Sequence, residues 1–318
     1  MRTPSTGSPR RRSWPSDAGR ARREPPGTVP GGRRYVVRVN RAGLQSLAKQ
    51  LYHGARALPD ELEQSRFQTR MGVDPAASEL LLSPHFDDAV LDCWSLLTGG
   101  RELNVVNLFG GDPGPRPLTQ WDAVTGASDS SERARERAGE DARALALAGR
   151  VPRNLSNLDA QYRSRLSRFR LAALDSQLVA AVERASRVYA PAAIGGHPDH
   201  RLARTYARLL LAAGMPVTLY AELPYCVMHG WPHWVDGREP LANRDVDVYW
   251  MTFLDGVPEL GGLRDGEVVR LDDAQAAAKL EAMRCYASQM PCLDFGGRGL
   301  LEDSEVFRYE VRWELSPA

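Results

Sequence analysis

Two short apolar runs each pass almost directly into histidines and aspartates that open a helix, and this repeated arrangement limits the fold more than any other feature. Leu80-Leu81-Leu82 leads through Ser83-Pro84 into His85-Phe86-Asp87-Asp88, and Val90, Cys93, Trp94 and Leu97 follow at helical spacing. Val188 to Ile194 leads through Gly195-Gly196 into His197-Pro198-Asp199-His200 and a helix ending near Gly214. Continuous apolar runs of this length read as strands buried on both faces. Further strands are expected over 103–109 and 217–223. Helices are expected over 131–148, with Ala134, Ala138, Ala142 and Leu145 along one face, and over 171–186. Strands alternating with helices predict an α/β fold with a Rossmann-like, mostly parallel sheet covered by helices on both faces.

The rest of the chain divides by composition. Residues 1–34 are Arg-, Pro-, Gly- and Ser-rich with few apolar groups, so burial cannot offset their ordering entropy and a disordered tail is expected. Residues 35–78 read as an appended element with a helix near 44–58, and residues 79–318 as the main domain. The tail holds nine arginines against Asp17 and Glu24, while the whole chain carries a formal charge of +1. The body is therefore mildly acidic, which argues against nucleic-acid binding. Lys49 and Lys279 are the only lysines, the usage of a GC-rich coding sequence such as an actinobacterial one. No apolar stretch is long enough to span a membrane. Cys93, Cys226, Cys285 and Cys292 are scattered without a CxxC pair, which suits a reducing cytoplasm.

In open α/β sheets, ligands bind outside the carboxyl ends of strands. The two His/Asp clusters can therefore meet at one site although about a hundred residues separate them. A catalytic zinc takes three imidazole or carboxylate ligands and keeps a position open. His85, Asp88 and His200 supply such a set. Asp87 is then left as a carboxylate able to take a proton, and His197 as a histidine facing the substrate, with Asp199 placed to orient it and stabilise its charged form. An Asp-Asp pair opening a helix also serves as an N-cap, and HPDH also occurs as a surface turn. Both clusters at strand-to-helix junctions, in a chain with six histidines, favour the catalytic reading.

These residues resemble a known family. Pro84-His85-Phe86-Asp87-Asp88 is similar to the (A/P)HxDD motif, and His197-Pro198-Asp199-His200 to the HPDH motif, of the PIG-L/LmbE family of zinc-dependent N-acetylglucosaminyl deacetylases and related amidases. Arg137-x-x-Glu140 with Gly149, Lys279-x-x-Ala282-x-x-x-Tyr286-x-Ser288-Gln289, and Glu305-x-Phe307 resemble its other signatures. The resemblance implies His85, Asp88 and His200 as zinc ligands and Asp87 as general base. It implies His197 as the group at the oxyanion or leaving amine, and Arg137 and Asp159 as contacts to substrate hydroxyls. Phe86 stands where the commonest motif has proline and is expected to point away from the metal. Asp92-Cys93-Trp94 replaces smaller residues and is expected to narrow the pocket floor.

The aromatic stretch from Pro224 to Trp234 is expected near the pocket mouth, with Tyr225 and Trp231 able to stack on a sugar ring. The loop 110–130, with Trp121, is a candidate lid. His229 and His233 are four apart, but Pro232 between them argues against a second metal site. The expected activity is hydrolysis of an N-acetyl or other N-acyl group on an amino sugar or amino-sugar-containing small molecule. The alternatives are an amidase on a thiol conjugate, a tailoring deacylase of natural-product biosynthesis, or a non-catalytic binding protein on the same scaffold. The donor set also suits other divalent metals such as Fe2+.

Overall fold

The computed structural model describes residues 77–163, 171–239, 245–293 and 303–316. The tail expected over 1–34 and nearly all of the element expected over 35–78 lie outside the described residues.

Seven strands form one sheet: β1 (Ser78–Ser83), β2 (Leu103–Asn107), β3 (Pro152–Asn154), β4 (Ala185–Pro191), β5 (Val217–Tyr220), β6 (Glu267–Arg270) and β7 (Tyr309–Glu314), in the order β3-β2-β1-β4-β5-β7-β6. β1 to β5 are parallel; β7 lies antiparallel to both β5 and β6. The apolar runs are the buried centre of this sheet: Leu81, Leu82, Val188, Ala190, Val217 and Leu219 are inaccessible to solvent. The mostly parallel α/β architecture expected from the alternation is therefore the observed one.

The helices that matter for the site are α1 (Asp88–Asp92), α2 (Trp94–Leu97), α3 (Gln120–Val124), α4 (Ser130–Leu147), α5 (Leu171–Val182), α6 (Pro198–Ala212), α7 (Val246–Leu254) and α8 (Asp273–Met283). Local signals set their ends. Asp129 caps α4 by accepting the Glu132 amide, and Gly149 follows that helix at φ 69°. Pro198 occupies the first turn of α6, where its missing N–H costs nothing.

The chain leaves β1 toward β2 on one side, whereas β4 and β5 lie on the other. The carboxyl ends of the neighbouring strands β1 and β4 thus flank the point where strand order reverses, the place where open α/β sheets bind ligands.

Two expectations need correction. The expected stripe on α4 is buried only at Ala134 and Leu145, with Ala138 half-buried and Ala142 exposed; the buried face also carries Arg137, Glu140, Asp141 and Ala144. Those charged groups can turn inward because the segment after α8 partners them. Glu140 accepts the amide and hydroxyl of Ser288, Asp141 accepts the Tyr286 hydroxyl at 2.8 Å, and Arg137 donates to Gln289 at 2.6 Å. Strands β6 and β7 were not anticipated, because β6 is a short edge strand and β7 (Tyr-Glu-Val-Arg-Trp-Glu) alternates polar with apolar groups. Among the described residues no helix is long and apolar enough to cross a membrane, and the four cysteines are unpaired.

Candidate metal centre and active site

The turn after β1 carries His85, Asp87 and Asp88; the turn after β4 carries His197, Asp199 and His200. The structure brings all six together, and ring nitrogens of His85, His197 and His200 fall within 4.8 Å of one another. One oxygen links the two clusters: Asp88 Oδ2 lies 3.4 Å from His85 Nδ1 and 3.5 Å from His200 Nε2. Ligand atoms on a tetrahedral ion with bonds of about 2.1 Å stand about 3.4 Å apart. His200 Nε2 is buried and has no hydrogen-bond partner among the described residues. A buried imidazole nitrogen without a partner is costly unless something else takes its lone pair. The donor set therefore fits a divalent metal ion.

Each of those imidazoles is backed by a carboxylate on its other nitrogen. His85 Nε2 lies 3.0 Å from Asp199 Oδ2, and His200 Nδ1 lies 3.2 Å from Glu222 Oε1. A carboxylate only accepts, so the facing nitrogen carries the hydrogen and the other is left bare for a metal. This corrects the expected role of Asp199. Its carboxylate serves His85, the Ala160 amide (2.8 Å) and the Arg163 guanidinium, not the ring of His197. Only the Asp199 backbone N–H reaches His197, donating to Nδ1 at 3.3 Å.

The electrostatics separate the roles. Burial opposes ionisation of Asp88, but His200 and His85 override it and hold the carboxyl well below the usual range. Asp159 is held low in the same way by His85 and Arg137. Asp87 goes the other way: burial and then the Asp88 charge push it up to about 7, against the pull of Arg137 and His85. It occupies the N-cap position of α1 yet makes no side-chain capping bond, so its carboxylate is not committed to the helix. His197 is lowered to about 3 by burial and by the neighbouring His85 and His200. It is thus a neutral imidazole rather than the charged one expected, and with Nδ1 accepting it carries its hydrogen on Nε2.

Arg137 and Asp159 form a pair at 3.4 Å, and Gln161 donates to Asp159 from both its amide and its side chain. Phe86 does not simply point away. Its buried ring lies under Arg137, 5.9 Å from the guanidinium carbon, and against Gly110, where a Cβ would meet the ring at 2.8 Å. Asp92, Cys93 and Trp94 are buried in the core, Asp92 accepting the Leu223 amide, rather than forming a pocket floor.

The aromatic stretch splits in two. Tyr225 sits beside the cluster, its ring 5.4 Å from that of His200 and 6.1 Å from that of His197, and packs on Gly195, where φ is 87° and a Cβ would clash. Trp231 is not a substrate platform. It is 2% exposed, donates its indole N–H to Val306 O, and packs against Trp250 and Tyr309. Pro232, His233 and Trp234 line a separate hollow with Asp247 and Arg264. His229 packs on Tyr249 while His233 faces Arg238 O, so the two share no site. The 110–130 segment contains α3 and is pinned by buried Asp122, which accepts the hydroxyls of Tyr162 (3.0 Å) and Ser130 (2.6 Å).

Sequence reasoning missed Glu222 and Arg163. A glutamate closing the apolar run after Val217 was the available signal for the first.

A match to the GlcNAc-PI de-N-acetylase (PIG-L) family spans residues 80–211. That segment contains both His/Asp clusters, Arg137 and Asp159. The chain is 31% identical over 215 residues to 2'-N-acetylparomamine deacetylase of Streptomyces fradiae, covering 60% of this chain and 75% of that protein. Among solved structures it is similar to a deacetylase triple mutant of the teicoplanin biosynthetic pathway, with 25% identity and a TM-score of 0.58. It is also similar to the A40926 pseudoaglycone deacetylase, with 26% identity and a TM-score of 0.53. Each of these alignments covers 76% of this chain and 98% of the other.

Proposed function

The chain belongs to the PIG-L family of de-N-acetylases, and from that premise we propose that it is a zinc-dependent amide hydrolase removing the N-acetyl group from an amino sugar built into a small-molecule natural product. The observation that carries the reading is Asp88 Oδ2, shared at 3.4 and 3.5 Å by two imidazoles that carboxylates back from behind. The named relatives, deacetylases of 2'-N-acetylparomamine, of the teicoplanin biosynthetic pathway and of the A40926 pseudoaglycone, support the substrate class.

In this reading His85, Asp88 and His200 hold the ion, and His197 and Asp87 face the reacting atoms. A bound divalent ion supplies Lewis acidity, polarising an amide carbonyl and acidifying water. Asp87 takes the proton of the attacking water; a proton affinity near neutrality suits a group that must both accept and release it. His197 donates from Nε2 to the carbonyl oxygen as negative charge develops there, and it can do so while neutral. Asp87 then returns its proton to the departing nitrogen as the C–N bond breaks, and the new acid's proton passes to the amine, so amide and water become acetate and an ammonium group. The Arg137–Asp159 pair offers donors and acceptors to sugar hydroxyls, and Tyr225 forms a wall beside the histidines.

The test measures zinc content and acetate release from 2'-N-acetylparomamine, free N-acetylglucosamine and an N-acetylated thiol conjugate. Release from an amino-sugar substrate is expected, with Asp87→Asn retaining zinc while kcat falls about 10²–10⁴-fold. Release from the thiol conjugate alone would change the substrate class. Normal turnover by Asp87→Asn would remove the base assignment.

A further inference from the structure

Glu222 is fully buried just past the end of β5, and three groups from residues 193–200 converge on its carboxylate. It accepts the backbone N–H groups of Ala193 and Ile194, the latter at 3.2 Å, and faces His200 Nδ1 at 3.2 Å. Ala193 holds φ at 59°, a left-handed conformation that L side chains rarely adopt. It stands four residues before His197, with the flexible Gly195-Gly196 pair between them.

We infer that Glu222 is a positioning residue for the metal centre: it fixes His200 with hydrogen on Nδ1 and a bare Nε2, and the same carboxylate clamps the strained turn that delivers His197. The inference rests on the metal-site reading above. The argument is one of donors and acceptors. Two amides and an imidazole all point at this side chain, so it must accept three times and donate to none, which an ionised carboxylate does. A glutamine cannot. Its NH2 either takes the Oε2 position and opposes the Ile194 N–H, or takes the Oε1 position, where it opposes the Ala193 N–H and donates to His200 Nδ1. The second choice selects the other tautomer, whose Nε2 carries hydrogen and cannot take a metal.

The test is the Zn2+ dissociation constant of Glu222→Gln, measured by chelator competition on protein shown by circular dichroism to be folded. Binding about 10–100-fold weaker than wild type is expected, with kcat falling more than KM changes. Wild-type affinity in the folded variant overturns the inference. Should Glu222→Gln fail to fold, Ala193→Gly in the same chain relaxes the turn. The double variant is then expected to fold yet still bind Zn2+ weakly, and wild-type affinity there overturns the tautomer role. A measurement on the wild type stands apart from both. Nitrogen-15 histidine spectra of the zinc-loaded enzyme are expected to show a protonated Nδ1 and a metal-bound Nε2 at His200, and the reverse overturns the inference. Wild-type enzyme that takes up no divalent ion would instead remove the metal reading itself, a distinguishable result.

Discussion

Trp231 and Tyr225 lie six residues apart in one aromatic stretch and have different fates. Trp231 is closed into the core by Trp250, Tyr309 and the Val306 carbonyl. Trp231→Ala is therefore expected to cost about 3–5 kcal/mol of stability while leaving KM and kcat of the folded fraction near wild type. Denaturant unfolding together with kinetics checks both halves, and a large KM change without loss of stability would return Trp231 to the pocket. A single sequence does not announce such differences, because an aromatic residue in a loop is equally suited to stacking on a ligand or on a neighbouring indole. The residues of the candidate centre were legible for the opposite reason. His85, Asp88, His197 and His200 are polar groups at the ends of apolar strands, where burial needs a chemical justification. Glu222 has that same signature at the end of β5. It was passed over because one carboxylate without a nearby histidine in sequence carries little information, and its partner His200 comes from another element.

Among the elements, α4 departs furthest from a simple amphipathic pattern, since its inward face is charged and is satisfied by residues about 150 positions later. One member of that face makes a pH prediction. Burial pushes the Asp141 carboxyl up to about 6, although Tyr286 and Asn107 hydrogen-bond it. The folded protein then holds this proton more tightly than the unfolded chain, whose aspartates titrate near 3.9. Stability from this residue is fully present below about pH 4 and is lost as pH rises toward 6, by on the order of 2–3 kcal/mol. Asp141→Asn is expected to flatten the stability profile over that window, as read by urea unfolding at intervals between pH 4 and 7. An unaltered profile would remove the assignment. The elements themselves were legible in proportion to their hydrophobic continuity. The strands β1 and β4 each centre on a buried apolar run, Leu80–Leu82 and Val188–Ala190, and β5 is short and buried throughout, whereas β7 buries Glu310 and Arg312 alongside Val311 and Trp313, so its alternation does not mark one face as the core.

Across the whole molecule, the switch point gathers buried carboxylates from four segments: Asp87 and Asp88, Asp159, Asp199, and Glu222. Imidazoles and the guanidinium groups of Arg137 and Arg163 offset that charge in part, and a bound cation would offset more. Metal binding to the native state alone adds about 2.7 kcal/mol at a free concentration a hundredfold above the dissociation constant. Stripping the ion with chelator is thus expected to lower Tm by about 5–10 °C, reversibly on adding Zn2+. A Tm indifferent to Zn2+ would mean that no ion binds the folded state.

The strand order also has a temporal side. β7 comes after β6 in the chain but sits between β5 and β6 in the sheet, and among the described residues β6 pairs with no other strand. A growing polypeptide can assemble β1 to β5 as each emerges, since those pairings need nothing made later. β6 has no neighbour until some forty residues more have been translated, a wait of about 2–8 s at ordinary elongation rates. During that interval the flank of β5 that β7 will cover is open, and open strand edges are where nascent chains associate wrongly. The fold thus sets a requirement on its own biosynthesis: a half-built sheet, with its two His/Asp turns already made, must be kept apart from its neighbours until the antiparallel strand arrives.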